Sequence, residues 1–319
     1  MKLGSKEING NLILAPLAGY SDRAFRRISR EHGAAIAVTE MVSCEGLARD
    51  NEKTEDLLLR YEGEDELIMQ IFAPDDDPVR RSLSRLLEYK PTAIDINAGC
   101  PVPKVVKNGC GSALMKNPDK IYNIVSFLKQ NTDVPITVKF RLGWDSSSIN
   151  YLEFADACVS AGASALTLHA RTRSQNYSGT ASYEDIKILR ERVDKSVLVF
   201  GSGDVFTPED ALKMVKSCNV DGVMFARGAI GNPFIFKQTK ELLESGSYHD
   251  IPLEERYNTI IKHLDYMISY FGEALAAREM RKHAAAYLKG VRNSSRVKAT
   301  IVHALTRDDY LKSLEVLFE

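Results

Sequence analysis

The sequence predicts an α/β protein: a (β/α)8 barrel, the TIM-barrel fold, followed by a C-terminal bundle of helices. Eight short apolar runs alternate strictly with longer amphipathic segments, which is the pattern of parallel strands joined by helical crossovers. No GxGxxG motif follows the first run, and its absence disfavours a doubly wound dinucleotide-binding sheet. After Phe236 the apolar runs stop and only helical patterns remain, which indicates a second, all-helical part.

The eight predicted strands are runs of five to seven residues rich in aliphatic side chains. In chain order they are Leu12–Pro16, Ala35–Glu40, Leu67–Ala73, Ala93–Asn97, Ile136–Leu142, Ala165–Arg171, Val197–Gly203 and Gly222–Gly228. Several helical segments between them begin with Asp-Pro, Asn-Pro or Thr-Pro, a signal for the start of a helix. Before the first strand, Asn9-Gly10 predicts the turn of a β-hairpin that covers the bottom of the barrel.

Composition limits the partners and the compartment. We expect the barrel to occupy residues 1–238 and the helical part residues 239–319. The net charge of −1 gives no overall attraction to a polyanion or a membrane, so any nucleic-acid contact needs a local patch. Five cysteines without a CxxC pair fit a reduced compartment, and no run of about 18 apolar residues is present. We therefore expect a cytoplasmic protein with no membrane contact and no metal.

Polar residues lie in or directly after six of the eight predicted strands. They are Gln70, Asn97 with Cys100, Lys139 with Arg141, His169 with Arg171, Ser202 with Asp204, and Arg227. Each one alone has an ordinary structural explanation. In a barrel, however, the carboxyl ends of the strands meet at one rim, where the active site lies. Their joint occurrence therefore predicts a site at that rim.

The loops after the seventh and eighth strands, "GSGD" and "ARGAIGNP", carry a further signal. Glycine-bearing turns expose backbone N–H groups, and these two loops bind phosphate in many barrels of this type. Arg227 adds a cation with a planar fork of donors. The alternative is that both loops are tight turns that simply need glycine. Together with Lys139 and Gln70, they predict a phosphorylated cofactor across the barrel mouth.

Six motifs together resemble the tRNA-dihydrouridine synthases, and are most similar to the bacterial B-type branch. They are "LAPLAGYSD", "DINAGCPVPKVVKNGCGSALM", "VKFRLGW", "LHARTRSQNYSG", "GSGDV" and "ARGAIGNPFIF". The resemblance covers Leu14–Phe236 in the family's order and spacing, and the AGCP…NGCGSALM block is its most specific part. It implies an FMN-dependent enzyme that reduces the C5–C6 double bond of uridines in tRNA, with NADPH (or NADH) as the reductant.

The resemblance assigns the cofactor contacts. It implies that Gln70 hydrogen-bonds the flavin ring, that Lys139 lies at its N1/O2 edge, and that His169 helps to hold the flavin or the uracil. A cation there would stabilise the negative charge of the reduced flavin. The ring would lie against Pro16, Leu17 and Ala18, and the phosphate against Ser202, Gly203, Asp204, Ala226 and Arg227. The family usually has Asn in place of Ser202 and often Gly in place of Ala226, but both changes keep the backbone N–H groups.

The resemblance also gives Cys100 a role as proton donor. Hydride addition to C6 of uracil leaves carbanion character at C5, which needs a proton from the opposite face. A thiol with a pKa of about 8.5 is largely protonated at pH 7 yet acidic enough to give up its proton. Gly99 and Pro101 would hold the thiol in place, and Asn97 would hydrogen-bond the uracil or the flavin. Cys110, in the same loop, has no catalytic task and is expected to be structural.

Reduction of a stacked uridine requires extrusion of the base, and contacts to the RNA backbone must offset that cost. Arg278–Lys298 holds seven basic residues and one acidic residue. Its predicted RNA footprint is one helix face with Tyr287 interleaved, formed by Arg278, Arg281, Lys282 and Lys289. The alternative is a solvated helix face. Near the mouth, the expected substrate contacts are Asn97, Arg141, Arg171, Arg173 and Tyr177. We expect a monomer.

Two other functions compete with this interpretation. The first is an FMN barrel that acts on a free pyrimidine, as dihydroorotate dehydrogenases do. The basic helical part argues against it, because a small substrate needs no cationic platform. The second is a non-enzymatic RNA-binding protein on a decayed barrel, and the presence of Cys100, Lys139 and His169 together argues against that.

Overall fold

A computed structural model describes all 319 residues and confirms the barrel. Eight parallel strands close into a ring in the order β3-β4-β6-β7-β8-β9-β10-β11, and β11 pairs with β3. Their bounds are β3 Leu12–Leu14, β4 Ile36–Val38, β6 Leu67–Phe72, β7 Ala93–Ala98, β8 Ile136–Arg141, β9 Ala165–His169, β10 Leu198–Ser202 and β11 Gly222–Phe225. A two-residue strand, β5 (Val42–Ser43), extends the pairing of β6. All eight predicted strands are present, each within or close to its predicted bounds.

Helices alternate with the strands and surround the ring. They are α1 Arg23–Glu31, α2 Cys44–Leu47, α3 Glu52–Glu55, α4 Asp76–Glu88, α5 Pro103–Lys107, α6 Pro118–Asn131, α7 Tyr151–Ser160, α8 Tyr183–Arg192, α9 Pro208–Cys218 and α10 Phe234–Ser245. Two of the predicted start signals act as expected: Asn117 and Thr207 cap α6 and α9, each with Pro at the first helical position. The helices cover the apolar outer faces of the strands, so these faces are buried and do not contact solvent.

The predicted hairpin is present, but the prediction of its turn at Asn9-Gly10 is wrong. Strands β1 (Lys2–Leu3) and β2 (Lys6–Glu7) pair antiparallel, so the turn is Gly4-Ser5. Gly4 adopts φ +56°, which glycine reaches without steric cost. Leu3 is fully buried and packs with apolar residues that fill the lower half of the barrel. The hairpin therefore closes the bottom, and the barrel opens only at the carboxyl ends of its strands.

The helical unit consists of α11 Leu253–Phe271, α12 Glu273–Tyr287, α13 Ser294–Ile301 and α14 Arg307–Glu315. Its apolar core includes Ala24 of α1 and Phe234 of α10, so it packs on the β3 side of the barrel. The expected boundary at 238/239 falls inside α10, and the division into two domains stays a prediction. No helix of the chain combines the length and the apolar composition needed to cross a membrane.

Two histidines are fully buried where the helical unit meets α1. The rings of His263 and His283 lie 4.6 Å apart, and Phe25 of α1 packs against both. Burial lowers the pKa of His263 to about 3 and holds that of His283 well below its ordinary value. Both rings are therefore neutral at neutral pH and add no charge to the junction, and next to them Lys262 of the helical unit pairs with Glu31 of α1 at 2.7 Å.

A glycine brings the barrel and the helical unit into backbone contact. Gly231 follows β11 with φ +66°, and a Cβ atom there would lie 2.3 Å from the backbone nitrogen of Tyr287. No other residue fits at that distance without moving α12. The loop after β11 and the last turn of α12 therefore touch directly.

Candidate functional site

Two connected hollows open at the carboxyl ends of the strands. The larger, about 1460 Å³, is lined by Gln70, Asn97 and Cys100 among others. The smaller, about 530 Å³, lies at the ends of β10 and β11. Both include Lys139 and His169. The predicted residues that line one hollow or both are Pro16, Leu17, Ala18, Gln70, Asn97, Cys100, Lys139, Arg141, His169, Tyr177, Ser202, Gly203, Asp204, Ala226 and Arg227.

Lys139 extends from β8 into the shared part of the two hollows. No side chain or backbone group of the protein accepts a hydrogen bond from its ammonium group, and no carboxylate pairs with it. Burial lowers the pKa of Lys139 to about 8, with a further contribution from the positive charge of Arg141. Burial and these neighbouring cations hold the pKa of His169 well below its ordinary value, so its imidazole is neutral. The hollow thus offers an unpaired cation to an anionic ligand.

A chain of hydrogen bonds runs from inside the barrel to the Cys100 loop. Asp95 is buried and accepts from Gln70 Nε2 at 2.6 Å and from Thr137 Oγ1 at 2.5 Å. The other end of the Gln70 amide, Oε1, accepts from Asn97 Nδ2 at 2.8 Å. Asn97 Oδ1 in turn accepts from the backbone nitrogen of Cys100 at 2.9 Å. Asp95 therefore fixes the orientation of the Gln70 amide and, through Asn97, the start of the loop.

Asp95 is a site residue that the sequence analysis missed. The signal was present, because an aspartate stands inside the apolar run "AIDIN". A charged side chain is almost never fully buried without partners. Burial raises the pKa of Asp95, and the hydrogen bonds from Gln70 and Thr137 oppose that rise.

Cys100 is the only cysteine that is not buried. Its backbone oxygen accepts from both the backbone nitrogen and the hydroxyl of Ser112 at 3.0 Å, so the loop closes on itself. Burial raises the pKa of the Cys100 thiol, while the backbone N–H of Val102 and the charge of Arg141 act in the opposite direction. The thiol is therefore protonated at neutral pH, even more completely than an ordinary cysteine. Cys110, by contrast, is buried, as expected of a structural residue.

The smaller hollow has the features of an anion site. The backbone N–H groups of Gly203 and Asp204 donate to no group of the protein. A Cβ atom at Gly203 would lie 2.7 Å from the Cβ of Ala181, and one at Gly228 would lie 2.1 Å from the oxygen of Val205. Glycine is therefore required at both positions. The free donors and the nearby Lys139 ammonium fit a phosphorylated, anionic cofactor.

The side chain of Asp204 is engaged by the protein itself. It accepts from Arg171 Nη2 at 2.6 Å, from the Ala181 N–H at 2.8 Å and from Arg227 Nη2 at 3.3 Å. Burial alone would raise the pKa of Asp204, but the bonds from Arg171 and Ala181 lower it. Asp204 is therefore a carboxylate that orients the loop, and only its backbone is free to bind a ligand.

Two arginines expected to contact the substrate are fully buried, and most of their donors are bonded to loops. Arg141 donates to the backbone oxygens of Gly99, Thr172 and Asn176 at 2.8–2.9 Å. Arg171 donates to Gly179 at 2.6 Å as well as to Asp204. These contacts favour a positioning role over direct contact with the substrate, more strongly for Arg171, which lines neither hollow.

Arg227 lies between two exposed aromatic rings. Its guanidinium carbon is 4.6 Å from the ring centre of Tyr177 and 5.1 Å from that of Phe206. These cation–π contacts hold the planar guanidinium group of Arg227 next to the smaller hollow. Phe206 was not among the predicted residues, and its exposed ring is explained by this contact.

The four basic residues of the predicted RNA footprint do not all lie on one exposed face of α12. Arg278 is exposed on α12, Arg281 donates to the oxygen of Ala304 at 2.7 Å, and Lys289 is exposed in the turn that follows the helix. Lys282 lies with its Nζ 5.2 Å from the ring centre of Tyr20, which itself lines the larger hollow. The interleaved position of Tyr287 is wrong, because that side chain is fully buried. Its face of α12 packs against the barrel rather than facing solvent.

Fold and site together are those of a TIM-barrel enzyme whose mouth combines a hollow with free N–H donors, an unpaired ammonium group and a protonated thiol. Comparisons with known proteins then identify the family. The family model described as "Dihydrouridine synthase (Dus)" matches residues 13–319. The chain belongs to the dihydrouridine synthase family, which confirms the resemblance seen in its motifs. As a member, it is an oxidoreductase that uses a flavin cofactor.

Curated relatives match along the whole chain. The "Probable tRNA-dihydrouridine synthase" of Treponema pallidum is 40% identical and covers 97% of this chain and 94% of its own. The "tRNA-dihydrouridine synthase B" of Vibrio cholerae is 35% identical and covers 100% of this chain and 99% of its own. The corresponding protein of Pasteurella multocida is also 35% identical, over 91% of this chain and 87% of its own.

Solved structures share the fold at low identity. A 2-naphthoyl-CoA reductase aligns with a TM-score of 0.57 at 12% identity, over 76% of this chain and 51% of that one. A histamine dehydrogenase from Rhizobium aligns with a TM-score of 0.54 at 15% identity, over 83% of this chain and 50% of that one. The chain thus spans about half the length of each. These matches support the barrel alone.

Proposed function

We propose that the chain reduces the C5–C6 double bond of specific uridines in tRNA, with Cys100 as the proton donor. One observation carries the proposal: the only accessible thiol, which is protonated, lines the same hollow as an unpaired ammonium group, Lys139. Family membership and the printed names of the curated relatives support uridine in tRNA as the substrate.

FMN fits the residues at the mouth. Lys139 would lie at the edge of the ring where negative charge develops, and the N–H groups of Gly203 and Asp204 with Arg227 would hold the phosphate. Pro16, Leu17 and Ala18 provide an apolar wall for the ring, and Gln70 Nε2 has one hydrogen left for it after bonding Asp95. When bound, reduced FMN supplies the hydride that adds to C6 of uracil, and NADPH (or NADH) is the proposed reductant.

Cys100 completes the reaction by proton transfer. The S–H bond breaks as the C5–H bond forms, so the base gains one hydride and one proton and the sulfur is left as a thiolate. Water or buffer then returns the proton to the sulfur. The raised pKa suits this role, because a carboxylic acid of ordinary pKa is ionised at pH 7 and cannot donate.

The remaining groups position the reactants. Asp95, Gln70 and Asn97 fix the Cys100 loop, and neutral His169 can donate to a carbonyl oxygen of the uracil without adding a charge to the hollow. The base must leave its stack to reach them, and the basic residues of α12 are the proposed platform for the RNA backbone. The monomeric state, the cytoplasmic location and the absence of a metal stay predictions.

The decisive experiment maps dihydrouridine in tRNA from cells that lack this protein. One position, or a small set, should revert to uridine, and the wild-type chain should restore it. Cys100→Ala should fail to restore it, whereas Cys110→Ala, a change at a buried thiol of the same loop, should succeed. In vitro, the flavin-loaded protein should reduce unmodified tRNA and leave free uridine and free orotate unchanged. Reduction of the free pyrimidine instead would identify the competing class of enzyme.

A further inference from the structure

The single tryptophan of the chain, Trp144, lies in contact with two cations at the barrel rim. Lys116 Nζ is 3.4 Å from the ring centre, and the guanidinium carbon of Arg173 is 4.5 Å from it. Lys116 is exposed, and Trp144 and Arg173 are half-buried. We refer to these three residues as the rim cluster.

The loops hold the rim cluster in place. The backbone nitrogen of Arg173 donates to the Gly143 oxygen at 2.9 Å, next to Trp144. Ser174 donates to the Trp144 oxygen twice, from its backbone nitrogen at 3.0 Å and from its hydroxyl at 3.1 Å. Two loops that are distant in sequence are thus tied together, and the arrangement exists before any ligand binds.

The charges of the rim cluster are not neutralised by the protein. No carboxylate lies within ion-pair distance of Lys116 or Arg173, although many surface cations of the chain are paired. The nearest carboxylate in sequence, Asp145, bonds Ser147 and Ser148 instead. Arg173 Nε is buried without a partner. Two cations and an aromatic ring therefore remain available to an anionic, stacking ligand.

The rim cluster lies beside the two hollows of the barrel mouth, so we expect it to contact the same substrate as the residues that line them. Lys116 is the last residue of the loop segment 100–116, which begins with Cys100. Arg173 lies on the same loop as Tyr177, and Tyr177 lines both hollows. Trp144 follows β8, which lies four strands from β3 in the ring of eight and thus directly across the mouth. The helical unit packs on the β3 side. The rim cluster and the basic face of α12 therefore flank the opening from opposite sides.

We propose that the rim cluster is a second RNA-binding surface, which binds the strand on the far side of the extruded uridine. Lys116 and Arg173 would bind backbone phosphates, and an unpaired base would stack on Trp144. This inference rests on the proposed function and adds where the RNA lies: it crosses the barrel mouth and is held at both ends. Proteins bind single-stranded RNA through this combination of basic groups and aromatic platforms.

The fluorescence of Trp144 tests the proposal directly, because it is the only tryptophan. Unmodified tRNA is added to the flavin-loaded protein, and we expect saturable quenching with a midpoint near the KM for tRNA. Trp144→Phe should abolish the signal while retaining much of the binding. An emission spectrum that is unchanged by a tRNA that the enzyme reduces would overturn the proposal.

Charge removal provides a second measurement. For Lys116→Ala with Arg173→Ala, we expect the KM for tRNA to rise about tenfold, with kcat changed less than twofold. The slope of log affinity against log salt should fall by about 0.7–0.9 for each lost phosphate contact. Lys195→Ala is the control, since Lys195 is exposed like Lys116 but lies before β10, at the bottom of the barrel. Equal effects of the rim and control variants would refute the rim surface.

The outcomes separate the two proposals. A wild-type protein that reduces no tRNA contradicts the proposed function. A protein that reduces tRNA with silent Trp144 fluorescence and unaltered rim variants leaves that function standing and removes only the second RNA surface.

Discussion

The barrel mouth and the exposed face of α12 use polar residues in opposite ways. At the mouth, several polar side chains hydrogen-bond one another, as in the chain from Asp95 through Gln70 and Asn97 to the Cys100 loop, although a few, such as Lys139, have no partner. On α12, Arg278 bonds only its own helix, at the Ala274 oxygen. This difference is expected if the mouth must hold reacting atoms in place, whereas the proposed role of α12 is only to attract a flexible polyanion. A substitution at the mouth should therefore also disturb the neighbouring side chains, whereas the effects of substitutions on α12 should be additive.

The largest effect is expected for Cys100→Ala. Loss of a general acid should slow reduction by about 10²–10⁴-fold. The affinity for tRNA should stay the same, because the thiol lies within the hollow and not on the RNA platform. Single-turnover reduction with pre-reduced flavin measures the step directly. An unchanged rate would remove Cys100 from the mechanism.

The pH dependence of the same step follows from the raised pKa of Cys100. Only the protonated thiol donates, so the single-turnover rate should be constant through neutral pH and fall as pH rises through the thiol pKa. Because burial raises that pKa, the fall should lie on the alkaline side of an ordinary cysteine's titration. A decline already complete at pH 7 would contradict the assignment.

The next effect concerns Lys139. In the loaded enzyme, Lys139→Met should lower turnover at least tenfold, because it removes the cation proposed to stabilise the negative charge of the reduced flavin. In the flavin-free chain the same change should increase the free energy of unfolding at pH 7. The pKa of about 8 lies below the ordinary 10.5, so the folded chain disfavours the bound proton. The gain should be complete below pH 8 and disappear towards pH 10.5, as chemical denaturation at several pH values would show.

An intermediate effect is expected at Asp95. Asp95→Leu leaves the Gln70 amide free to turn, so turnover should fall about tenfold. Cys100, the only accessible thiol, should then be alkylated at a changed rate. Asp95→Asn is the matched control: its oxygen can still accept from Gln70, while the Thr137 hydroxyl can accept from the new amide. Equal damage by both changes would indicate a structural role instead of a positioning one.

The smallest effects are expected on α12. Arg278→Ala and Lys289→Ala should each weaken tRNA binding two- to threefold and leave the rate of bound substrate unchanged. Each should reduce the salt slope by about 0.7–0.9. The double variant should equal the product of the two, since the residues share no partner. A combined loss much larger than that product would show that the platform is as coupled as the mouth.

The sequence predicted the barrel well, because strands buried on both faces form continuous apolar runs that are easily distinguished from amphipathic helices. It also predicted that polar residues at the strand ends converge at one rim, and the structure brings most of them together around the two hollows. The sequence did not predict which group each polar side chain contacts. Whether Arg171 faces a substrate or Asp204 depends on a contact 33 residues away in the chain. Helical periodicity likewise cannot tell which face of α12 the barrel covers, and Tyr287 was misplaced for that reason.

The backbone contact at Gly231 has a consequence for how the enzyme can move. The turn that follows Arg227, the proposed phosphate ligand, abuts the last turn of α12, and a Cβ atom at Gly231 would lie 2.3 Å from the backbone nitrogen of Tyr287. A change in the angle between α12 and the barrel would break or compress this contact, so we expect the distance from the proposed RNA-binding residues of α12 to the proposed phosphate site to be set when the chain folds.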